Sequence, residues 1–337
     1  MKKLLNNPSE VVKDMFDGLA LCHPDRMERV GGLVSVFRRR GAPVKGRVGL
    51  VLGGGSGHEP MFIGYLGPGL ADVVVQGGVF ASPTPDLILA AAQAADSGAG
   101  VLFIYGNYAG DILNFDMAEE LCRDEGLKVK SVRTWDDIST GPDRSRRRGV
   151  TADVYTIKAA GAAAAEGLDL DGVERAARLA MENSRTLGVC LTPATLPETG
   201  LATFELGDDE MEIGMGAHGE AGIKRDKMRP ASELAEFMIG KLCEDFPLRS
   251  GDEVVLMANG MGATTLMELY IMAAASHRAL KKRGVEIFAS DVGELMTTQE
   301  MGGCHLTLMK LDEELKRYWL APCSSLAYNR HAPGWTV

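Results

Sequence analysis

RVGLVLGGGSGHEP, Arg47–Pro60, is an apolar run that breaks into glycine. The Val/Leu content of Arg47–Leu52 predicts a strand. Gly53, Gly54 and Gly55, followed by Ser56 and Gly57, predict a turn. There backbone can approach a bound molecule with no Cβ in the way. His58 and Glu59 stand where a helix could begin. Strand, glycine turn and helix N-terminus would make a pocket of N–H donors at a sheet's C-terminal edge. Two nucleotide motifs nearly fit and fail. A dinucleotide fingerprint counted from Gly53 needs glycine at 58, and that residue is His58. A phosphate loop needs G-K-[ST], and this one has no lysine. The stretch therefore suits a small polar ligand without specifying a nucleotide.

Outward from it, strand and helix patterns alternate. Asn7-Pro8 predicts a capped helix carrying Val11, Val12, Met15, Phe16 and Leu19 on one face. DVVVQGGVF (Asp72–Phe80), GVLFIYGN (Gly100–Asn107) and KVKSVRTW (Lys128–Trp135) read as strands. Ser82 is expected to cap the helix after the first, and Ile112–Cys122 to form a helix after the second. Asp136–Gly149 reads as a mobile loop, and Asp153–Glu166 and Leu170–Asn183 as helices. This order predicts a largely parallel sheet covered on both faces. Thr186–Gly200 reads as a crossover into a second α/β unit, so two domains are expected, 1–185 and 186–337. In the second, Ala202–Gly216 alternates like a hairpin turning at GDDE. Ser232 caps a helix through Leu242, and Thr264–Leu280 is a long helix. Glu253–Gly260, Val285–Ser290 and Cys304–Asp312 are strands, and a short helix ends near Trp319. The expected fold class is α/β, with two largely parallel or mixed sheets covered by helices and a ligand site between domain loops.

With 45% hydrophobic and 24% charged residues among 337, the chain is neither disordered nor fibrous. A net charge of −10 argues against nucleic acid. The clusters Arg38–Arg40 and Arg144–Arg148 read as solvated faces. Six cysteines without a C-x-x-C pair fit free cytosolic thiols. No apolar run is long enough to span a membrane, and the start, MKKLLNNPSE, is too short for a signal peptide. A cytoplasmic location is expected.

Three residues stand out for chemistry. His218 lies in GMGAHGEAG (Gly214–Gly222), where other groups can approach its ring. A carboxylate at Nδ1 would fix its tautomer and leave Nε2 free, and Glu220 is two positions on. A surface-loop histidine is the plain alternative. His58, at a helix start, would be kept neutral by the dipole and suited to general-base work. Asp111 is either an ordinary helix N-cap or an acceptor for a hydroxyl proton at the shared strand edge. His23, His277, His305 and His331 read as structural or surface. No H-E-x-x-H or paired Cys/His spacing suggests a metal, and no G-x-S-x-G suggests an acyl-transfer serine.

GGGSGHEP, VFASPTPD (Val79–Asp86), GNYAGDILNF (Gly106–Phe115), RRGV (Arg147–Val150) and GMGAHGEAG together resemble the K subunit of dihydroxyacetone kinases. The resemblance runs from MKKLLN to the last strand. It implies a two-domain subunit, usually a homodimer, that binds dihydroxyacetone or a related short ketose between loops of both domains. It implies that His218 adds to the substrate carbonyl to give a hemiaminal, and that His58 and Asp111 flank the hydroxyl to be phosphorylated. Gly55, Ser56 and Gly57 match the ligand-binding turn, and Gly106 and Asn107 belong to the same substrate site. No cofactor is implied on this chain. ATP or ADP with Mg²⁺ would sit on a helical L subunit, with ATP itself or a phosphotransferase-system M subunit as phosphoryl source. Relatives of this kind also serve as transcriptional co-activators. Where the family usually reads KNYTGD, Gly106 and Ala109 replace lysine and threonine. Ala217 replaces a branched residue and Ala221 a proline. Dihydroxyacetone is the leading expectation for the substrate; a four-carbon ketose such as erythrulose is the alternative, because Gly106, Ala109 and Ala217 trim side-chain volume at the expected site.

Overall fold

The computed structural model describes residues 2–216, 218–220 and 222–331. Asn7 accepts a hydrogen bond from the Ser9 N–H and opens a 3-10 turn that runs into α1 (Val11–Cys22). Two short strands, β1 (Met27–Arg29) and β2 (Val36–Arg39), lead to β3 (Gly49–Ser56), the run around which the rest is built. β4 (Val73–Val79), α2 (Pro85–Ala95), β5 (Val101–Gly106), α3 (Ala109–Asp124) and β6 (Val129–Thr134) complete the first sheet and one helical layer. The strand order is β1-β2-β4-β3-β5-β6; the last four run parallel, and β1 and β2 pair antiparallel. Successive side chains of a strand point to opposite faces. Leu50 and Leu52 therefore pack on one side, and Val51 packs with Phe103, Phe115 and Ile88 on the other. Burial on both faces is why Arg47–Leu52 shows no polar alternation.

The next helices, α4 (Asp153–Ala165) and α5 (Leu170–Glu182), cover the other face. The second sheet then forms from β7 (Ser184–Thr192), β8 (Glu210–Ile213), β9 (Lys224–Lys227), β10 (Glu253–Gly260), β11 (Glu286–Gly293) and β12 (Gly302–Lys310). α6 (Ala231–Asp245) and α7 (Leu266–Lys282) pack on it through Leu234, Met238, Leu269 and Met272. α8 (Glu313–Leu320) follows β12. α4 is buried along nearly its whole length. Its core cluster holds Leu50 and Leu102 from the first sheet and Val255, Met257 and Met309 from the second. A helix between two sheets needs small side chains, which accounts for the alanines at 159–160 and 162–165.

Several expectations give way. Gly53–Gly55 are not a turn: they continue β3, and their missing side chains make room for the protein itself. A Cβ on Gly53 would sit 2.6 Å from the Phe115 ring, and one on Gly54 2.2 Å from Phe62. No helix begins at His58, which lies in a turn before a 3-10 segment at Ile63–Tyr65. Thr84, not Ser82, is the N-cap of α2, and Pro230, not Ser232, that of α6. The second sheet is mainly antiparallel, with β10 and β11 its parallel pair. Thr186–Gly200 is therefore no plain crossover, because β7 pairs with β12 and β8 inside that sheet. The hairpin is β8–β9, and Gly214–Gly222 connects it rather than GDDE. The segment 136–149 is anchored by buried polar groups. Asp136 accepts from the N–H groups of Val150 and Ala152 and from the Thr186 hydroxyl. Arg147, read as a solvated charge, is buried and paired with Asp245 at the end of α6.

Gly55 gives a direct test of this packing. A Cβ there would lie 2.9 Å from the Ala81 nitrogen and 3.0 Å from the Phe80 Cα, both backbone atoms. Gly55→Ala is expected to lower stability by about 1–3 kcal/mol, as overpacking does. Urea denaturation measures it, and a loss below about 0.5 kcal/mol, the range of neutral surface changes, would contradict the packing described.

Candidate active site

Parallel strands β3 and β5 end side by side, so their exit segments converge on one edge of the sheet. Gly54, Gly55 and Gly106 form the floor of a cavity there, and His58, Asp111 and His218 reach into it. Tyr108, Phe62, Gly149, Asp153 and Met296 complete its walls.

The turn that carries His58 is held from both sides. The Glu59 carboxylate accepts from the Gly57 N–H at 3.0 Å and from the Gln76 amide at 3.1 Å. The segment after β11 closes over it: Thr297 donates its N–H to the His58 carbonyl and its hydroxyl to the Glu59 carbonyl, at 3.2 and 2.8 Å. The His58 ring donates from Nδ1 to the Thr297 carbonyl at 2.8 Å, which leaves its Nε2 as an acceptor. His218 comes from the β8–β9 connection. Glu220 accepts from the backbone N–H of His218 at 2.9 Å and meets its Nδ1 at 3.0 Å, so the tautomer-fixing carboxylate is in place. His218 Nε2 is not free, however. It lies 3.0 Å from His58 Nε2. With both Nδ1 atoms donating, two lone pairs would face each other unless one proton sits between them. The Glu220 carboxylate balances that charge. Burial works to raise this carboxyl, but its hydrogen bond to His218, the charge there and the backbone N–H outweigh burial and bring it down to about 2. Burial, with His218 beside it, drops His58 to about 3. His58 is thus kept neutral by burial and a neighbour, not by a helix dipole.

Asp111 is the third residue of α3, and Tyr108 occupies the N-cap position with no side-chain cap. Asp111 therefore does not cap its helix. It is buried, and among the described residues its Oδ1 has no hydrogen-bond partner. Burial lifts the carboxyl to about 6, against the lowering effects of a hydrogen bond with Ser82 and of His218. Among the described residues no lysine or arginine lines the cavity.

Of the residues singled out in the sequence, Gly55, His58, Gly106, Asp111 and His218 meet at the cavity; Ser56, Gly57 and Asn107 do not line it. The Ser56 hydroxyl donates to the Gly77 carbonyl at 2.8 Å. The Asn107 amide donates to the carbonyls of Ser145 and Arg147 and so ties down the 136–149 segment. Gly106 does not leave open space: a Cβ there would lie 2.9 Å from the Tyr108 ring. That ring stands edge-on to His218, with centroids 5.0 Å apart, and its hydroxyl donates to the Gly149 carbonyl. Ala217 and Ala221 lie outside the described residues. Among the other histidines, His305 is buried beside Asn259 and His277 meets the Ser290 hydroxyl.

Sequence reasoning missed Tyr108, Asp153 and Arg148. Arg148 is buried; it donates to Asp137, the Ser139 hydroxyl and the Gly214 carbonyl, and comes within 4.0 Å of Glu220. It fixes the start of the connection that carries His218. The one available signal was Asp137, an acidic residue eleven positions upstream that can neutralise it. Among the described residues no His/Cys/Asp/Glu group could hold a metal, and no helix is long and apolar enough to cross a membrane.

The chain is similar to several known proteins. One is the dihydroxyacetone-binding subunit of PTS-dependent dihydroxyacetone kinase 1 of Listeria innocua, 45% identical over 316 residues, covering 93% of this chain and 95% of the relative. Another is the D-erythrulose kinase of Mycolicibacterium smegmatis, 40% identical over 98% of this chain but 57% of that longer protein. Among solved structures, the dihydroxyacetone kinase operon co-activator superposes with a TM-score of 0.88 at 32% identity, over 95% of this chain and 98% of its own. The Dak1 domain model matches residues 17–327, and the chain belongs to that family.

Proposed function

We propose that this chain is the ketose-binding subunit of a dihydroxyacetone-type kinase, a phosphotransferase acting on an alcohol group. The observation that carries the proposal is the Nε2–Nε2 contact of His58 and His218, with Glu220 behind one ring and Asp111, whose buried Oδ1 has no partner among the described residues, lining the same cavity. A short ketose has little apolar surface, so a reversible covalent bond is an effective way to hold and orient it. The proton between the two rings gives the reaction its balance. His218 Nε2 forms a bond to the carbonyl carbon, and the C=O π pair moves onto oxygen. The proton leaves the ring pair for that oxygen. The product is a hemiaminal on a cationic imidazole, still balanced by Glu220. His58 Nε2 is left with an open lone pair beside the bound ketose.

The hydroxyl to be phosphorylated must then lose a proton. Asp111, at about 6, is ionised at neutral pH and close to the operating range of a general base. His58 is much less basic and fits a relaying and positioning role. ATP or ADP with Mg²⁺ belongs on a helical L subunit, with a phosphotransferase-system M subunit as an alternative source of phosphate. Free thiols and such a soluble partner fit the cytoplasm. Dihydroxyacetone is the leading substrate, in keeping with the Listeria relative. A four-carbon ketose is the second reading, favoured by the D-erythrulose kinase. A sensing role is favoured by the co-activator structure, but a sensor has no need of a base such as Asp111.

A high-resolution structure of the protein soaked with dihydroxyacetone tests the covalent step. Continuous density from His218 Nε2 to the carbonyl carbon is expected, and a ketose lying free in the cavity would sink it. His218→Ala should weaken ketose binding at least tenfold by calorimetry while the melting temperature stays close to wild type. With ATP, Mg²⁺ and ketose the purified chain should yield no phosphorylated product until the helical partner is added; turnover by the chain alone would refute the division of labour.

Asp111 makes two opposed predictions. Turnover by the reconstituted enzyme should fall about tenfold per pH unit below about 6, as the base is protonated. Asp111→Asn should reduce turnover by roughly 10²–10⁴-fold. Stability runs the other way. The folded-state carboxyl lies above its unfolded value of 3.8, so its contribution is present at low pH and is lost as pH rises to about 6. At pH 7.5 the asparagine variant, free of that buried charge, should be more stable than wild type by about 1–3 kcal/mol. Near pH 3.5 the difference should vanish. Urea titrations at the two pH values check this, and an equal difference at both would contradict it.

A further inference from the structure

One buried acid at the cavity takes no part in the chemistry above. Asp153 is the first residue of α4 and is 2% exposed, and it lines the cavity together with Asp111, Gly149 and Tyr108. Among the described residues its Oδ1 has no hydrogen-bond partner. A buried polar oxygen without a partner is uncommon and unfavourable. Here two acids that each carry such an oxygen, Asp111 and Asp153, line one cavity, and among the described residues no lysine or arginine lines it.

We infer that Asp153 is a substrate-binding, specificity-determining residue, which receives the terminal hydroxyl of the ketose at the end opposite the hydroxyl held by Asp111. The inference rests on the functional reading above. A ketose attached through its central carbon has two arms, and the cavity is lined by one acid for each, each with an oxygen that has no partner among the described residues. Two neighbouring buried acids do not readily ionise together, and the single positive charge on the histidine pair is already balanced by Glu220. Burial and the charges of Asp136 and Asp111 push Asp153 well above the usual carboxylate range, against one hydrogen bond with Thr134. Asp111 is the acid left to ionise and act as base. Asp153 stays protonated, and a neutral carboxyl can both donate to and accept from a hydroxyl. The site thus sorts its two acids into a base and a recognition group by environment alone. The assignment predicts a preference for ketoses hydroxylated on both sides of the carbonyl, because a ligand with one hydroxyl leaves one acid without that partner.

The test compares dihydroxyacetone with hydroxyacetone, which lacks one hydroxyl, in calorimetric titrations of the full chain. Wild type should bind dihydroxyacetone at least tenfold more tightly. In Asp153→Ala that ratio should fall below threefold, through loss of dihydroxyacetone affinity. Hydroxyacetone, which can turn its single hydroxyl to Asp111, should change by less than threefold. Asp153→Asn keeps a donor and an acceptor and should retain most of the preference. A merely structural role for Asp153 would weaken both ligands alike, and that outcome overturns the inference. Should the alanine variant not fold, the dihydroxyacetone complex of the wild-type protein decides: a terminal hydroxyl more than 3.5 Å from both Asp153 oxygens overturns it. Wild type that binds neither ketose would remove the functional reading and this inference together. An intact wild-type preference that survives in Asp153→Ala removes the inference alone.

Discussion

Two imidazole nitrogens 3.0 Å apart set the terms for this molecule. His58 sits just beyond β3 of the first sheet, and His218 in the β8–β9 connection of the second. Their contact requires that the edges of two differently built sheets meet. The anchoring groups all serve that meeting. Thr297, beyond β11, grips the His58 turn, and Arg148, from the first half, grips the base of the His218 connection. Asp136 ties the start of α4 to β7, and Arg147 reaches the end of α6. Each crosses between the halves and is buried, where a satisfied polar network is rigid and an unsatisfied one is costly.

The strand–helix alternation of the first half was legible because its signals are local. A fully buried parallel strand reads as an unbroken apolar run, and Leu50 to Leu52 does. The histidine–carboxylate pair was legible for the same reason, since His218 and Glu220 are two residues apart. The glycines of β3 were not. A glycine reads the same whether a ligand or the protein's own ring fills the space, and Phe115 and Phe62 fill it here. Ser56, Gly57 and Asn107 adjoin the cavity in sequence, but their hydrogen bonds are spent on the scaffold. Asp153 was hidden because Thr134, Asp136 and Asp111 reach it from other segments, and Arg148 offered only Asp137 as a signal. An Asp at the start of a helix and an Arg in a basic cluster have ordinary explanations until burial is known. The second sheet misled because β8 and β9 pair across a glycine-rich connection, while GDDE offers a better turn by composition.

Gly106 shows how a local reading can point the wrong way. By itself, glycine in place of a long side chain suggests an enlarged cavity. In the fold, the Tyr108 ring lies where that side chain would begin, and its hydroxyl is anchored on Gly149. The missing side chain therefore does not translate into free volume: the Tyr108 ring packs against Gly106 and forms an aromatic wall beside His218. Phe80, 5.3 Å from His218 and 5.1 Å from His58 between ring centroids, extends that wall. A wall of rings lowers the polarity around the His58–His218 pair and strengthens the charge interactions beside it.

The site also carries hydrogen-bonding capacity that the protein itself does not use. Asp111 and Asp153 are buried, each with an oxygen that has no partner among the described residues, and His58 has lost most of its basicity to burial. An unmet buried oxygen is unfavourable, and a polar molecule of the right length supplies its partner. A ketose that satisfies both acids gains that relief in addition to its own hydrogen bonds, and one that satisfies a single acid does not. Selectivity in so small a site therefore comes less from the shape of the walls than from what the walls leave unpaired. This is why the groups that matter most for recognition destabilise the fold that carries them.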